Sequence, residues 1–211
     1  MRRLHLWGTM ALCATAMTLF SGKAVQAQTD PGAGPLRLKV GGYLPTEGGA
    51  REVIGTNFLS LGLGWDIGTV DGRRPARLEV YADYFDRIKH HQAADIGRFQ
   101  VSAYGLGVAV RFDADPNGTL KTWRPYYGIG TGVYRMYARQ TAVISVLDPR
   151  PVTERDEQFG VGVKFLIGAQ LTGGVFGELE YNILPRPEIF NDDINVDGIQ
   201  LRIGYRFGGR R

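Results

Sequence analysis

The chain has 211 residues, 30 of them glycine, with 25 lysines and arginines against 21 aspartates and glutamates and a formal net charge of +4. One domain with a substantial core is the expectation at this length, and glycines without a collagen-like period exclude a fibrous chain. Three of the basic residues, Arg2, Arg3 and Lys23, fall within the first 27 positions with no acid beside them, so the remainder is close to neutral. That removes the case for nucleic-acid binding, which needs a basic stripe.

Arg2 and Arg3 lead an apolar run over 4–20, followed by small residues ending at Ala27, which is the layout of a secretory signal. The expected organisation is a signal peptide over 1–27, a loose lead over 28–35, one β-barrel over 36–207 and a short tail over 208–211. An uncleaved anchor helix is the alternative, and the apolar run is short for it. The only cysteine, Cys13, lies inside the signal, so the exported part folds without disulfides or thiolate metal sites.

Eight segments then alternate with a period of two, separated by turn-rich stretches. They fall near 36–44, 57–67, 77–85, 99–113, 122–137, 158–171, 175–184 and 198–207. In the first, Leu36, Leu38, Val40 and Leu44 oppose Arg37, Lys39 and Tyr43; in the second, Leu59, Leu61, Leu63, Trp65 and Ile67 oppose Ser60, Gly62, Gly64 and Asp66. The third sets Leu78, Val80, Ala82 and Tyr84 against Glu79, Tyr81 and Asp83. The fourth sets Tyr104, Leu106, Val108, Val110 and Phe112 against small residues and Arg111. In the fifth, Trp123, Tyr127, Ile129 and Val133 oppose Arg124, Tyr126 and a run of glycines. The sixth opposes Val161, Val163, Phe165 and Ile167 to Gly160, Gly162 and Lys164, and the seventh opposes Val175, Leu179 and Tyr181 to Phe176, Glu178 and Glu180. The last places Ile199, Leu201, Ile203, Tyr205 and Phe207 opposite Gln200, Arg202 and Arg206.

Alternation alone leaves two solutions, an apolar face turned out to lipid or turned in, as in a soluble lipocalin-like cup. Three features select lipid. Glycine and alanine crowd the polar face, as the filled interior of a small barrel requires and a solvated exterior does not. The links over 45–56, 86–98, 138–157 and 185–197 are long, whereas those over 68–76, 114–121 and 172–174 are short, as expected for external loops and periplasmic turns. Finally Trp65, Phe112, Trp123, Tyr205 and Phe207 gather on the apolar face at the periplasmic strand ends, forming an aromatic girdle, with Tyr84, Tyr104 and Phe159 as a thinner outer one.

The expected fold is all-β, an eight-stranded antiparallel up-and-down transmembrane β-barrel. Arg124-Pro125-Tyr126-Tyr127-Gly128-Ile129-Gly130-Thr131-Gly132, Phe176-Gly177-Glu178-Leu179-Glu180-Tyr181 and the closing Gly204-Tyr205-Arg206-Phe207 carry a resemblance. The chain resembles the small eight-stranded outer-membrane β-barrels, the superfamily of the OmpA membrane domain, OmpX and OmpW. The resemblance implies an outer-membrane location, contact with outer-membrane lipid, and a final strand read by the outer-membrane assembly machinery at Phe207. Gly208-Gly209-Arg210-Arg211 is an addition to that signal.

Charged side chains on the inner face predict an ion-pair network that plugs the barrel: Arg37, Lys39, Glu79, Asp83, Arg111, Arg124, Lys164, Glu178, Glu180, Arg202 and Arg206. Buried ions must pair, because each unpaired one costs several kcal/mol. The alternative for the same residues is a gated ion path. His90 and His91, near Asp86 and Asp95 in an external link, lack the serine nucleophile that a lipid-modifying enzyme would need beside them. Asp113 to Gly118 and Asp193 to Gly198 match the first half of a calcium loop but lack its closing glutamate. The expectation is therefore no enzyme, no metal and no cofactor. The role expected is structural, surface-contact or envelope-integrity through the external loops, with a narrow pore for ions or small apolar molecules as the alternative. Any surface ligand is left unspecified.

Overall fold

The computed structural model describes residues 36–47, 58–70, 76–87, 98–115, 119–120, 122–143, 151–171, 173–189, 192–193 and 195–207. Expectations that fall elsewhere, namely the signal peptide, the lead, the tail and the His90–His91 pair, lie outside the described residues. Strands β1 (Leu36–Pro45), β2 (Phe58–Val70), β3 (Ala76–Arg87), β4 (Arg98–Asp113), β5 (Trp123–Val143), β6 (Pro151–Leu171) and β7 (Val175–Ile183) follow one another. Two-residue strands β8 (Glu188–Ile189) and β9 (Asp192–Asp193) precede the closing β10 (Gly198–Arg206). Eight strands close into one antiparallel barrel in the order β1-β10-β7-β6-β5-β4-β3-β2, and β8 and β9 pair only with each other. Closure of β1 on β10, from Arg37 opposite Arg206 to Pro45 opposite Gly198, leaves no open edge around the barrel wall.

The alternation places large apolar side chains outside. Leu106 is 63% exposed and Leu201 and Ile203 are each 64% exposed, while Arg202, in the same strand, is fully buried. Water would not tolerate so continuous an apolar exterior, whereas a hydrocarbon bilayer requires one. A lipocalin-like cup, with its apolar faces turned in, is therefore not the structure formed. β7 and β10 have nine residues each, enough to cross the hydrocarbon layer when tilted.

Two links differ from their sequence-based bounds. The link expected over 138–157 is mostly ladder: β5 and β6 stay paired from Trp123 opposite Leu171 to Val143 opposite Pro151. Alternating polar and apolar residues in this stretch carry too little hydrophobicity to announce a strand, yet the backbone still pairs beyond the membrane. The link expected over 185–197 includes the β8–β9 pair and folds back on the barrel. Asp66 faces inward opposite Glu79 in unbroken register, and a bulge just beyond it, between Asp66 and Gly68 of β2, adds a residue opposite β3.

Candidate functional site

The barrel interior is filled rather than open, and its two halves differ in chemistry. At the end with the short turns, Asp66 is held by Arg206 Nη2 at 2.8 Å and lies 3.7 Å from Arg37 Nε. Deeper in, Glu79 and Glu178 share Arg111, whose Nη2 is 2.6 Å from Glu79 and 3.0 Å from Glu178. Lys39 bridges Glu178 at 2.8 Å, Glu79 at 3.3 Å and Glu180 at 3.6 Å. At mid-barrel Arg202 binds Asp83 at 2.6 Å and also Glu180, and Lys164 binds Asp83 at 2.5 Å.

Tyrosines complete this half. Tyr126 donates its hydroxyl to Glu178 at 2.8 Å, and the Arg37 and Arg111 guanidinium groups lie 5.6 and 5.5 Å from its ring centre. Lys164 Nζ sits 3.4 Å from the centre of the Tyr81 ring, and the hydroxyls of Tyr81 and Tyr134 are 3.2 Å apart. Cation–π contact and charge-assisted hydrogen bonds together offset part of the cost of keeping these ions from water.

Ten of the eleven residues expected in the network meet inside the barrel. Arg124 does not: it is exposed, because its inward-facing position is the second residue of β5, at the short-turn rim. Asp66 was not in the expected set, although its alternation placed it on the same face; it supplies the carboxylate for Arg206 and Arg37. Tyr81, Tyr126, Tyr134 and Phe176, the last with Arg37 5.1 Å from its ring centre, also line the interior. The signal for them was present in the glycine faces opposite. A Cβ on Gly105 would collide with the Tyr134 ring, and one on Gly162 would come within 2.7 Å of it, so the two glycines form a slot for that ring.

The far half of the interior is mostly aromatic and aliphatic, threaded by a buried hydrogen-bonded chain in which Asn182 donates to Gln200 and Gln200 to Ser60. Tyr43 stacks on Phe85 at 4.6 Å, and Phe58 meets both edge-on. Val101, Met136, Leu184 and Val196 complete the cluster. Leu184 and Val196 belong to the link between β7 and β10, which caps the far mouth. Leu184 N–H donates to Asp197 Oδ1 at 2.8 Å, Thr46 N–H donates to the Asp197 carbonyl at 2.9 Å, and the Tyr43 hydroxyl donates to the Val196 carbonyl. Asp197 is thus a loop anchor. At the other end Asp115 accepts from Leu120 N–H at 2.7 Å and from the Thr119 hydroxyl at 2.7 Å. Those bonds hold its carboxyl below the usual aspartate range and brace the turn.

On the exterior, Trp65, Trp123, Tyr205 and Phe207 are exposed at the short-turn end; Phe112 is half-buried against Tyr127, 5.4 Å between ring centres. Tyr205 and Phe207 contact edge-to-face at 4.9 Å.

A closed eight-stranded antiparallel barrel with an apolar exterior, aromatic ends and a filled charged interior is the architecture of the small outer-membrane β-barrels. The short-turn end is the periplasmic end of that architecture and the long-link end the outer one. Among solved structures, Neisserial surface protein A matches with a TM-score of 0.51 at 16% identity, over 81% of this chain and 92% of that one. Ail, the attachment invasion locus protein of Yersinia pestis, aligns at 13% identity over 83% of this chain and 99% of its own, with a TM-score of 0.46. The N-terminal β-barrel domain of Pseudomonas aeruginosa OprF aligns at 11% identity over 83% and 99%, with a TM-score of 0.41. No protein-family profile matches the chain, and no curated protein does. The fold is that of a small eight-stranded outer-membrane β-barrel.

Proposed function

We propose that the protein is a closed, non-conducting outer-membrane barrel that works by surface contact through the β5–β6 hairpin. The observation that carries this is a contrast. The interior is blocked twice, by the ion-pair network and by the Tyr43–Phe58–Phe85 cluster, while β5 and β6 run on together, with β4 beside β5 as far as Arg98 opposite Thr141, beyond the point where β3 and β7 stop. β7 leaves β6 at Val163 opposite Ile183, and β3 leaves β4 at Asp86 opposite Ser102. A ladder that long outside the membrane has no role in crossing it. No catalytic residue is assigned. Export by residues 1–27, and reading of the last strand at Phe207 by the assembly machinery, belong to the same proposal.

The test is to shorten the hairpin without opening the barrel. Ala138 stands directly opposite Asp156, so residues 139–155 can be replaced by an Asn-Gly turn. The shortened protein should keep its heat-dependent shift in gel electrophoresis and lose attachment of expressing cells to surfaces and to other cells. Attachment equal to that of the full-length protein would refute the proposal. Refolded protein in a planar bilayer should be silent, and steady single-channel current altered by Arg202→Ala would restore the pore as the better explanation.

A further inference from the structure

The outward face of the β5–β6 hairpin carries a charge arrangement that the barrel itself does not explain. Arg139 and Arg155 stand directly opposite one another in the ladder, so their side chains leave the same face. Like charges so placed repel. Neither arginine has an ion pair among the described residues, and the nearby carboxylate on that face, Glu157, is held by Arg135 at 2.8 Å. Two opposed, unneutralised arginines are stable where an anion from outside the chain sits between them.

Their position identifies the anion. Tyr84, Tyr104, Arg135 and Phe159 form one row across β3, β4, β5 and β6, each opposite the next in the ladder. Tyr104 and Phe159 are both more than half exposed, and the Arg135 guanidinium lies 5.5 Å from the centre of the Phe159 ring. This row marks the outer boundary of the hydrocarbon layer. Arg139 and Arg155 lie four residues further out, about 13 Å along the strand and about 10 Å in height at the usual barrel tilt. On the same face below the row, Val133, Phe165 and Ile167 are exposed. One ligand that touches the whole strip must have apolar chains below and anionic groups above.

We propose that Arg139 and Arg155 form a binding site for the phosphate groups of an outer-leaflet glycolipid whose acyl chains lie along the Val133–Phe165 face. Guanidinium forks suit phosphate, which they engage bidentately. The site rests on the barrel lying in the membrane at the depth the aromatic row marks.

The test uses the full chain refolded into phosphatidylcholine nanodiscs containing either bisphosphorylated lipid A or the same glycolipid with its phosphates removed. The heat-dependent gel shift is recorded first for each protein, and glycolipid retained per barrel is then measured by mass spectrometry. The wild type should retain the phosphorylated form preferentially. Arg139→Gln and Arg155→Gln should each lower that retention about fivefold, the effect of about one charge at a membrane surface. Retention of the dephosphorylated form should be unchanged, and Arg139→Lys with Arg155→Lys should recover only part of the loss, because an ammonium keeps the charge and loses the bidentate fork. A closed barrel whose double glutamine variant retains as much phosphorylated lipid as wild type would overturn the site; arginines that serve an acidic protein partner instead would give that result. Equal retention of both glycolipids would also overturn it. A wild-type chain with no gel shift would overturn the membrane placement, and the site with it.

Discussion

Glu178→Gln removes one negative charge from the barrel interior and leaves the side chain's shape almost unchanged. Glu178 lies 2.8 Å from Lys39, 3.0 Å from Arg111 and 3.6 Å from Arg37, and accepts from Tyr126 at 2.8 Å. The amide oxygen can still accept from Tyr126, so the substitution isolates the charge. Among the described residues the network joins six cations (Arg37, Lys39, Arg111, Lys164, Arg202, Arg206) to five carboxylates (Asp66, Glu79, Asp83, Glu178, Glu180). Losing Glu178 leaves six against four, with Arg111 and Lys39 each short of a partner. Stripping one partner from a buried ion pair costs about 3–5 kcal/mol, and that is the expected loss. Arg202→Met brings the network to five against five. It leaves Asp83 with Lys164 at 2.5 Å and Glu180 with Lys39 at 3.6 Å, so its expected cost is about 1.5–3 kcal/mol, that of charged hydrogen bonds lost. Equilibrium unfolding by guanidinium from lipid vesicles, followed by the fluorescence of lipid-facing Trp65 and Trp123, measures both. If Arg202→Met destabilises more than Glu178→Gln, or Glu178→Gln lies within about 0.5 kcal/mol of wild type, charge balance is not what stabilises the plug.

Three further outcomes are expected. Gly105→Ala drives a methyl into the Tyr134 ring and should cost about 1–3 kcal/mol in the same unfolding assay, as overpacking does; a neutral result would show that the ring can move. Asp197→Ala leaves the buried Leu184 N–H without its acceptor, so protease should cut within 185–196 faster than in wild type while the gel shift is kept; unchanged cleavage would mean the apolar contacts of Leu184 and Val196 suffice. Because the folded-state value of Asp115 is depressed, its carboxylate stabilises the periplasmic turn above the ordinary aspartate range and loses that effect as pH falls through the lowered value. The Leu120 amide signal in NMR should therefore titrate with a midpoint below the ordinary aspartate range, and a midpoint at or above it would refute the assignment.

The period of two in the sequence already determined that Leu38, Leu106 and Ile203 face one way and Lys39, Glu79 and Arg202 the other. Direction followed from the crowding of glycine on the charged face, because a small barrel must fit its large inward side chains beside very small ones. Eight strands, the two types of end and ten of the network's members were legible for that reason: each depends on local alternation and on link length. Pairing within the network was not, because Arg202 meets Asp83 across the barrel, 119 residues away in sequence. Nor could alternation reveal that an aromatic and aliphatic cluster fills most of the outer half of the interior. Phe58 and Phe85 reach it from strand ends and Met136 from within β5, but Leu184 and Val196 come from an external link, where no periodicity orders the chain. Arg124 shows the same limit from the other side, since its face was legible and its height on the barrel was not. Height depends on stagger between strands, which only the closed ladder sets. The register of β5 against β6 is of that kind too: it decides that Arg139 meets Arg155, and with them the charge the barrel shows above the membrane.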